Sequence, residues 1–186
     1  ALFEATANET GAVILDVRNQ DDFRQGHIPG AIFIGLNGSF APWVGALIAD
    51  VKQPLLLVTP EGLEKETITR LSRVGFDQTL GYLEGGFEAW KGAAKEYDTV
   101  DQVTAEQLKS VISVGDLPVF DVRKESEYQS EHVLNAHNTP LDFLNEYLAE
   151  FPTDQPFYLH CAGGYRSMIA ASILKSRGIH HLIDVF

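Results

Sequence analysis

The residues with the clearest chemical potential surround the single cysteine of the chain, Cys161. It follows a short apolar run, Phe157–His160, which is typical of a buried β-strand. A loop with two glycines comes next, and a helix is predicted to begin at about Arg166. In a parallel sheet this order places the sulfur at the carboxyl end of a strand, where open α/β sheets bind ligands.

Several features of this loop favour a thiolate. Glycines let backbone N–H groups turn inward and form an anion-binding nest, and a helix N-terminus carries roughly half a positive charge. Arg166 adds a full charge, and Ser167 can donate a hydrogen bond. Because a stabilised thiolate is a nucleophile at neutral pH, we predict Cys161 as the catalytic residue. The predicted anion-binding residues are those that follow it: Ala162, Gly163, Gly164, Tyr165, Arg166 and Ser167.

The size of the loop helps to choose the chemistry. Four residues separate Cys161 from Arg166. Three phosphoryl oxygens need a wide ring of N–H groups, whereas a single sulfur bonded to the cysteine suits a tighter ring. The spacing therefore favours a persulfide anion, with a cysteine-based phosphatase as the less favoured alternative.

Plainer interpretations of these side chains stay open. A buried structural thiol is the alternative for Cys161, and an ion pair with a nearby acid is the alternative for Arg166. Ser167 can serve as a helix cap, and Tyr165 is either a contact for an acceptor or an ordinary loop aromatic. His160 is predicted to pack away from the pocket, because successive side chains of a strand face opposite sides.

The chain repeats itself. Asp16–Arg18 recurs 105 positions later as Asp121–Arg123, and Leu55–Val58 recurs 102 positions later as Phe157–His160. A period this long indicates two tandem domains rather than a solenoid. We interpret Asp121 and Arg123, at a strand end, as a structural ion pair.

The order of elements within each copy predicts the fold class. Short apolar runs alternate with helical segments, which indicates an α/β fold with a central, mostly parallel sheet flanked by helices. In each copy, the helix after the second apolar run is followed by a glycine, Gly75 or Gly178. Glycine suits the left-handed conformation in which helices commonly end. The boundary is predicted near 98–103, and Thr104 and Gln107 form the predicted capping box of the next helix.

The first copy departs from the pattern at the cysteine position, where Thr59 stands. Its loop has no arginine, and Pro60 removes one N–H donor. Glu61, Glu64 and Glu66 load the would-be anion site with negative charge. We therefore predict that the first copy is catalytically inactive.

Composition excludes several classes of partner. Acidic residues outnumber basic ones by 26 to 14 without a basic cluster, which argues against nucleic acid. No apolar run is long enough for a membrane span. One cysteine cannot form an internal disulfide, which favours a reducing compartment such as the cytoplasm. The six histidines lack the spacing of a metal site, so no metal is expected.

A set of motifs spread over nearly the whole chain carries a family resemblance. They are Asp-Val-Arg at 16–18 and 121–123, Gly26–Ala31, Gly85–Phe87 with Trp90, and Cys-x-x-Gly-x-Arg-Ser at 161–167. Together they resemble tandem proteins of the rhodanese (sulfurtransferase) family. The resemblance implies that Cys161 takes a sulfane sulfur from an anionic donor, thiosulfate or a persulfide, and passes it to a thiol or cyanide without a cofactor. Relatives with phosphatase activity carry a loop one residue longer.

The resemblance also implies a domain organisation. Residues 1–98 are expected to be a degenerate rhodanese-like domain, and residues 99–186 an active one that is truncated at its C-terminus. The chain is similar to the C-terminal part of metallo-β-lactamase–rhodanese fusions, which act as persulfide dioxygenases. A fused or associated oxygenase domain is therefore one expectation, and a sulfur-carrying or regulatory module of such a protein is the alternative function.

Overall fold

A computed structural model describes residues 2–112 and 117–186. The chain divides into two compact units, Ala1–Thr99 and Val100–Phe186. Each unit is built from short apolar strands that alternate with helices.

The first unit contains a four-stranded parallel sheet with the strand order β2-β1-β3-β4. All four residues of β3 are buried, which explains its uninterrupted apolar sequence. The strands are β1 (Val13–Asp16), β2 (Ile32–Phe33), β3 (Leu55–Val58) and β4 (Thr79–Tyr82). The helices are α1 (Leu2–Thr10), α2 (Gln20–Gln25), α3 (Phe40–Leu47), α4 (Glu64–Ser72) and α5 (Gly86–Gly92).

The second unit contains a five-stranded parallel sheet with the strand order β5-β9-β8-β6-β7. The strands are β5 (Asp101–Val103), β6 (Val119–Asp121), β7 (His137–Asn138), β8 (Phe157–His160) and β9 (Leu182–Val185). The helices are α6 (Ala105–Ile112), α7 (Glu125–Ser130) and α8 (Tyr165–Ser176), with 3₁₀ helices at Leu141–Glu146 and Leu148–Glu150. The predicted fold class, tandem α/β domains with parallel sheets, is confirmed.

Helix α8 is the central helix of the second unit. Residues 167–174 are all buried, so the helix has no wide polar face. Small side chains at Ala170, Ala171 and Ser172 keep it narrow, and the hydroxyl of Ser172 donates to the carbonyl of Ile169. A helix buried on this scale fixes the position of its N-terminus, which lies beside Cys161.

Local sequence signals are reproduced where they were predicted. The amide of Gln107 donates to Thr104 Oγ1, and the amide of Thr104 donates to Gln107 Oε1, which is the expected capping box. Gly75 and Gly178 have φ of 90° and 86° just beyond α4 and α8. Helix α8 begins one residue earlier than predicted, because the left-handed residue that precedes it is Gly164.

Strand register fixes what lies beside the cysteine. Asp121, the last residue of β6, pairs with His160, the last residue of β8. The amide of Val122 then donates to the carbonyl of His160. Cys161 and the segment after Asp121 therefore leave the same carboxyl edge of the sheet. Within residues 2–112 and 117–186, no helix combines the length and apolar character needed to cross a membrane.

Candidate functional site

The Cys161 sulfur lies at the start of α8, in a half-buried position. The backbone amide of Gly164 donates a hydrogen bond to Cys161 Sγ over 3.1 Å. Ser167 Oγ is 3.5 Å from the sulfur, and the thiol donates to it. One amide and one hydroxyl of the segment that follows Cys161 thus lie within hydrogen-bond distance of the sulfur.

Gly164 gives the loop its shape. It has a left-handed conformation, with φ of 81°, and it is the residue immediately before α8. This conformation turns the chain from the loop into α8, and a side chain would disfavour it. Ala162 and Gly163, at the loop tip, are exposed. The tip of the loop is therefore open to solvent.

Ser167 is completely buried beneath the loop. Its hydroxyl can donate to the carbonyl of Gly164 over 3.3 Å while Oγ accepts from the thiol. If the sulfur is ionised, the same hydroxyl is free to turn and donate to it. The structure thus supports both interpretations of Ser167, a local cap and a partner of Cys161.

Arg166 is paired with a carboxylate of a neighbouring helix. Its Nη1 and Nη2 donate to Glu127 Oε2 and Oε1 over 2.6 and 2.9 Å. This pair holds the pKa of Glu127 at about 2, chiefly through the hydrogen bond from Arg166. The pKa of Arg166 is raised, first by the hydrogen bond to Glu127 and further by the charges of Cys161 and Asp121. The ion-pair alternative for this arginine is therefore what the structure shows.

Asp121 and Arg123 form the predicted ion pair, with Nη2 and Oδ2 2.7 Å apart. Arg123 also donates to the carbonyl of Glu131 over 2.7 Å. The first unit repeats this arrangement with Asp16, Arg18 and the carbonyl of Gly26, and the ion pair there is also 2.7 Å long. Since both copies have the pair, it is a tether for the loop after the strand and does not depend on a cysteine.

The His160 side chain is buried next to Asp121. Its Nε2 lies 3.6 Å from Asp121 Oδ2, and its Nδ1 lies 3.2 Å from the carbonyl oxygen of Cys161. Asp121 already accepts three hydrogen bonds from the Arg123 side chain. The imidazole thus lies behind the loop, in contact with its backbone.

The equivalent loop in the first unit has the same backbone turn. Its charged side chains are acidic, whereas the charged side chain of the cysteine loop is Arg166. Gly62 has φ of 82°, close to the 81° of Gly164 in the second unit. The Gly62 amide donates to Glu64 Oε1 over 3.2 Å, so a carboxylate of the protein itself occupies this donor. Thr59 is buried at the cysteine position.

Sequence reasoning missed Glu127. The predictions name the loop residues, but not the acid that accepts from Arg166. Helix α7 carries Glu125 and Glu127 in its first turn, and spacing alone does not choose between them. The repeat offers a signal, since Asp22 stands at the position equivalent to Glu127.

Comparison with known families agrees with the fold. The family model for the Rhodanese-like domain matches residues 2–93 and 104–185. These two matches cover most of the chain. The chain therefore belongs to the rhodanese-like family and has two copies of its domain.

Two curated relatives are similar to parts of this chain, and one solved structure is similar over its whole length. Uncharacterized protein YqhL of Bacillus subtilis is 40% identical over 67 residues, which are 36% of this chain and 53% of YqhL. Thiosulfate sulfurtransferase GlpE of Shewanella oneidensis is 36% identical over 81 residues, which are 43% of this chain and 76% of GlpE. The crystal structure of a thiosulfate sulfurtransferase from Pseudomonas aeruginosa has a TM-score of 0.43 at 21% identity, over 100% of this chain and 39% of that one. The chain spans about half the length of YqhL.

Proposed function

We propose that the protein is a sulfurtransferase that carries a sulfane sulfur as a persulfide on Cys161. The observation that carries this proposal is the sulfur's position, 3.1 Å from the Gly164 amide and beside the N-terminus of the buried helix α8. Amides and a helix N-terminus that converge on one atom stabilise negative charge there. Both the thiolate and the persulfide anion that follows from it have such a charge.

In the first half-reaction the Cys161 thiolate attacks the outer sulfur of the donor. A sulfur–sulfur bond forms at Cys161, and the donor's own bond to that sulfur breaks. The bonding pair leaves with sulfite when the donor is thiosulfate, or with a thiolate when it is a persulfide. The product is the anion Cys161–S–S⁻, and no external oxidant is needed.

In the second half-reaction an acceptor thiolate or cyanide attacks the outer sulfur of that persulfide. The bond to Cys161 breaks, its electron pair returns to the cysteine as thiolate, and the acceptor leaves as a new persulfide or as thiocyanate. The exposed loop tip at Ala162 and Gly163 gives the acceptor access. Such a double displacement predicts ping-pong kinetics.

The loop residues have distinct parts in this scheme. The N–H groups from Ala162 to Ser167 form the ring around the terminal sulfur, with Gly164 as the donor already in place. The Ser167 hydroxyl turns to the anion, and the half-buried Tyr165 side chain is proposed to contact the acceptor. Arg166 contributes its positive charge from its position beside Glu127.

We further propose that the first unit does not transfer sulfur. Thr59 offers no thiol, and Glu64 already accepts from the Gly62 amide. Helix α4 also has a second acid, Glu66, in its first turn, whereas the first turn of α8 has no acid. A fused or associated oxygenase that uses the sulfur delivered by the second unit is compatible with this division.

Sulfite release tests the proposal. Mixed with thiosulfate alone, the protein is expected to release about one equivalent of sulfite in a burst. With cyanide or a small thiol it should turn over, with parallel lines in double-reciprocal plots. Cys161→Ser should show neither the burst nor turnover.

Other outcomes would assign another function. A burst of sulfite without catalytic turnover in the presence of any small acceptor would contradict the proposed enzymatic activity. It would support the alternative of a sulfur-carrying module. Hydrolysis of an aryl phosphate that depends on Cys161, without sulfite release, would contradict the persulfide and support the phosphatase alternative.

A further inference from the structure

We propose that Glu127 is a positioning residue for sulfur transfer, which holds the Arg166 guanidinium and thereby the cysteine loop in the geometry that the persulfide requires. The inference rests on the proposed function of Cys161. It assigns a role to a residue of another helix, outside the Cys-x-x-Gly-x-Arg-Ser motif.

The contact between Glu127 and Arg166 is bidentate. Two nitrogens of the guanidinium donate to the two carboxylate oxygens over 2.6 and 2.9 Å. Parallel bonds of this kind fix the orientation of an arginine, since its planar fork matches a carboxylate. The Arg166 side chain is 20% exposed and the Glu127 side chain is 36% exposed, so the pair is partly shielded from solvent.

Arg166 transmits this restraint to the sulfur through a short path. It is the second residue of α8, next to Ser167, whose Oγ lies 3.5 Å from Cys161 Sγ. The charge of Cys161 contributes to the raised pKa of Arg166, so the two groups are in electrostatic contact. A guanidinium that moved away from Glu127 would weaken this favourable interaction with a negatively charged sulfur.

Glu127 is itself held in place by its own helix. Its Oε2 accepts from the Lys124 amide over 3.2 Å, an N-terminal contact of α7. The carboxylate thus joins the start of α7 to the start of α8. Because the Glu127 carboxylate is held by both the Lys124 amide and the Arg166 guanidinium, it is a rigid support for the arginine and not a mobile counter-ion.

The first unit provides an internal comparison. At the position equivalent to Glu127, Asp22 accepts from the Asn19 side chain over 2.8 Å, so this acid serves the start of α2. The position equivalent to Arg166 is Glu64. Helix capping therefore does not require the arginine, and the acid–arginine pair occurs in the unit that has the cysteine.

Glu127→Gln separates the two contacts of this side chain. Glutamine still accepts from the Lys124 amide, as it does in ordinary capping boxes, but it loses the charge and one of the two hydrogen bonds to Arg166. We expect kcat/KM for sulfite release from thiosulfate to fall about tenfold. Glu125→Gln is the matched control, because it removes an exposed acid from the same helix turn, and its kcat/KM should match the wild type.

A double-variant cycle shows whether Glu127 acts through Arg166. Arg166→Gln should lower kcat/KM at least as far as Glu127→Gln does, and the double variant should be no slower than Arg166→Gln alone. Glu127→Asp, which keeps the charge, should recover part of the loss. Above pH 4 the pH–rate profiles of wild type and Glu127→Gln should have the same shape and differ in height, because Glu127 does not exchange protons with the substrate.

The outcomes separate this inference from the proposed function. If the wild type releases sulfite and Glu127→Gln equals it, or if the double variant loses the product of the two single losses, the positioning role is wrong and the sulfurtransferase stands. If the wild type releases no sulfite at all, the proposed function is wrong and the positioning role is lost with it.

Discussion

At the scale of residues, the site depends on the groups of the loop that lie within hydrogen-bond distance of the Cys161 sulfur. The Gly164 amide lies 3.1 Å from Cys161 Sγ and the Ser167 hydroxyl lies 3.5 Å from it. The arginine that the motif supplies is engaged with Glu127. In the proposed reaction the anion on Cys161 would therefore be stabilised by these short-range hydrogen bonds, with the paired guanidinium as a fixed charge nearby.

Ser167→Ala tests the hydroxyl. We expect kcat/KM for sulfur transfer to fall about three- to tenfold, because a hydrogen bond to a charged group contributes more than a neutral one. The control is Ser172→Ala, a buried serine on the same helix whose hydroxyl donates to the Ile169 carbonyl. Equal kinetics for the two variants would contradict a direct contact between Ser167 and the anion.

The lowered pKa of Glu127 predicts how the stability of the protein depends on pH in acid. Folding lowers it from an ordinary 4.5 to about 2, chiefly through Arg166. A lowered folded-state pKa means that this stabilisation is complete above about pH 4.5 and is lost as the pH falls toward 2. The difference in unfolding free energy between wild type and Glu127→Gln, measured with urea, should therefore shrink from pH 6 to pH 2.5. A difference that stays constant over this range would show that Glu127 is not stabilised as an anion.

At the scale of elements, the strand–loop–helix unit from β8 to α8 sets the geometry. Strand β8 is buried along its whole length, and α8 is buried from residue 167 to residue 174. The loop between them is therefore held by two fixed ends. Its turn is made by the left-handed Gly164.

Gly164→Ala tests that turn. A Cβ in the left-handed region costs about 1–2 kcal/mol, so the unfolding free energy of the second unit should fall by about that amount. Gly163→Ala is the stability control, because a Cβ there meets nothing within 4 Å and its φ is not positive. Equal unfolding free energies for the two variants would contradict the strain argument.

Sequence reasoning works for those parts of the fold and site whose signals are local. The capping box of Thr104 and the left-handed Gly75 and Gly178 each depend on a few neighbouring residues, and all three were predicted. The partner of Arg166 was not, because Glu127 is 39 residues away on another helix. Only the packing of α7 beside α8 chooses Glu127 over Glu125.

At the scale of the whole molecule, one backbone design appears twice with different chemistry. Gly62 and Gly164 share their left-handed turn, but their amides have different acceptors. The Gly62 amide donates to Glu64, and the Gly164 amide donates to the cysteine sulfur. The first unit thus has the same loop shape, but in it the loop amide binds a carboxylate of the protein itself.

Thr59→Cys, made together with Cys161→Ser, tests this difference. A thiol in the first unit should form no stable persulfide with thiosulfate, because Glu64 occupies the loop amide and repels the anion. Intact-mass measurement after treatment should show no added sulfur. An adduct as abundant as that of the wild-type protein would show that the loop charges do not determine which unit is active.

The most direct test of the account is the intact mass of the wild-type protein after incubation with thiosulfate or a small persulfide and removal of excess donor. We predict a gain equal to one sulfur atom, located on Cys161, reversed by dithiothreitol and absent from Cys161→Ser. No gain from either donor, or the same gain in Cys161→Ser, would contradict the claim that Cys161 holds the transferred sulfur.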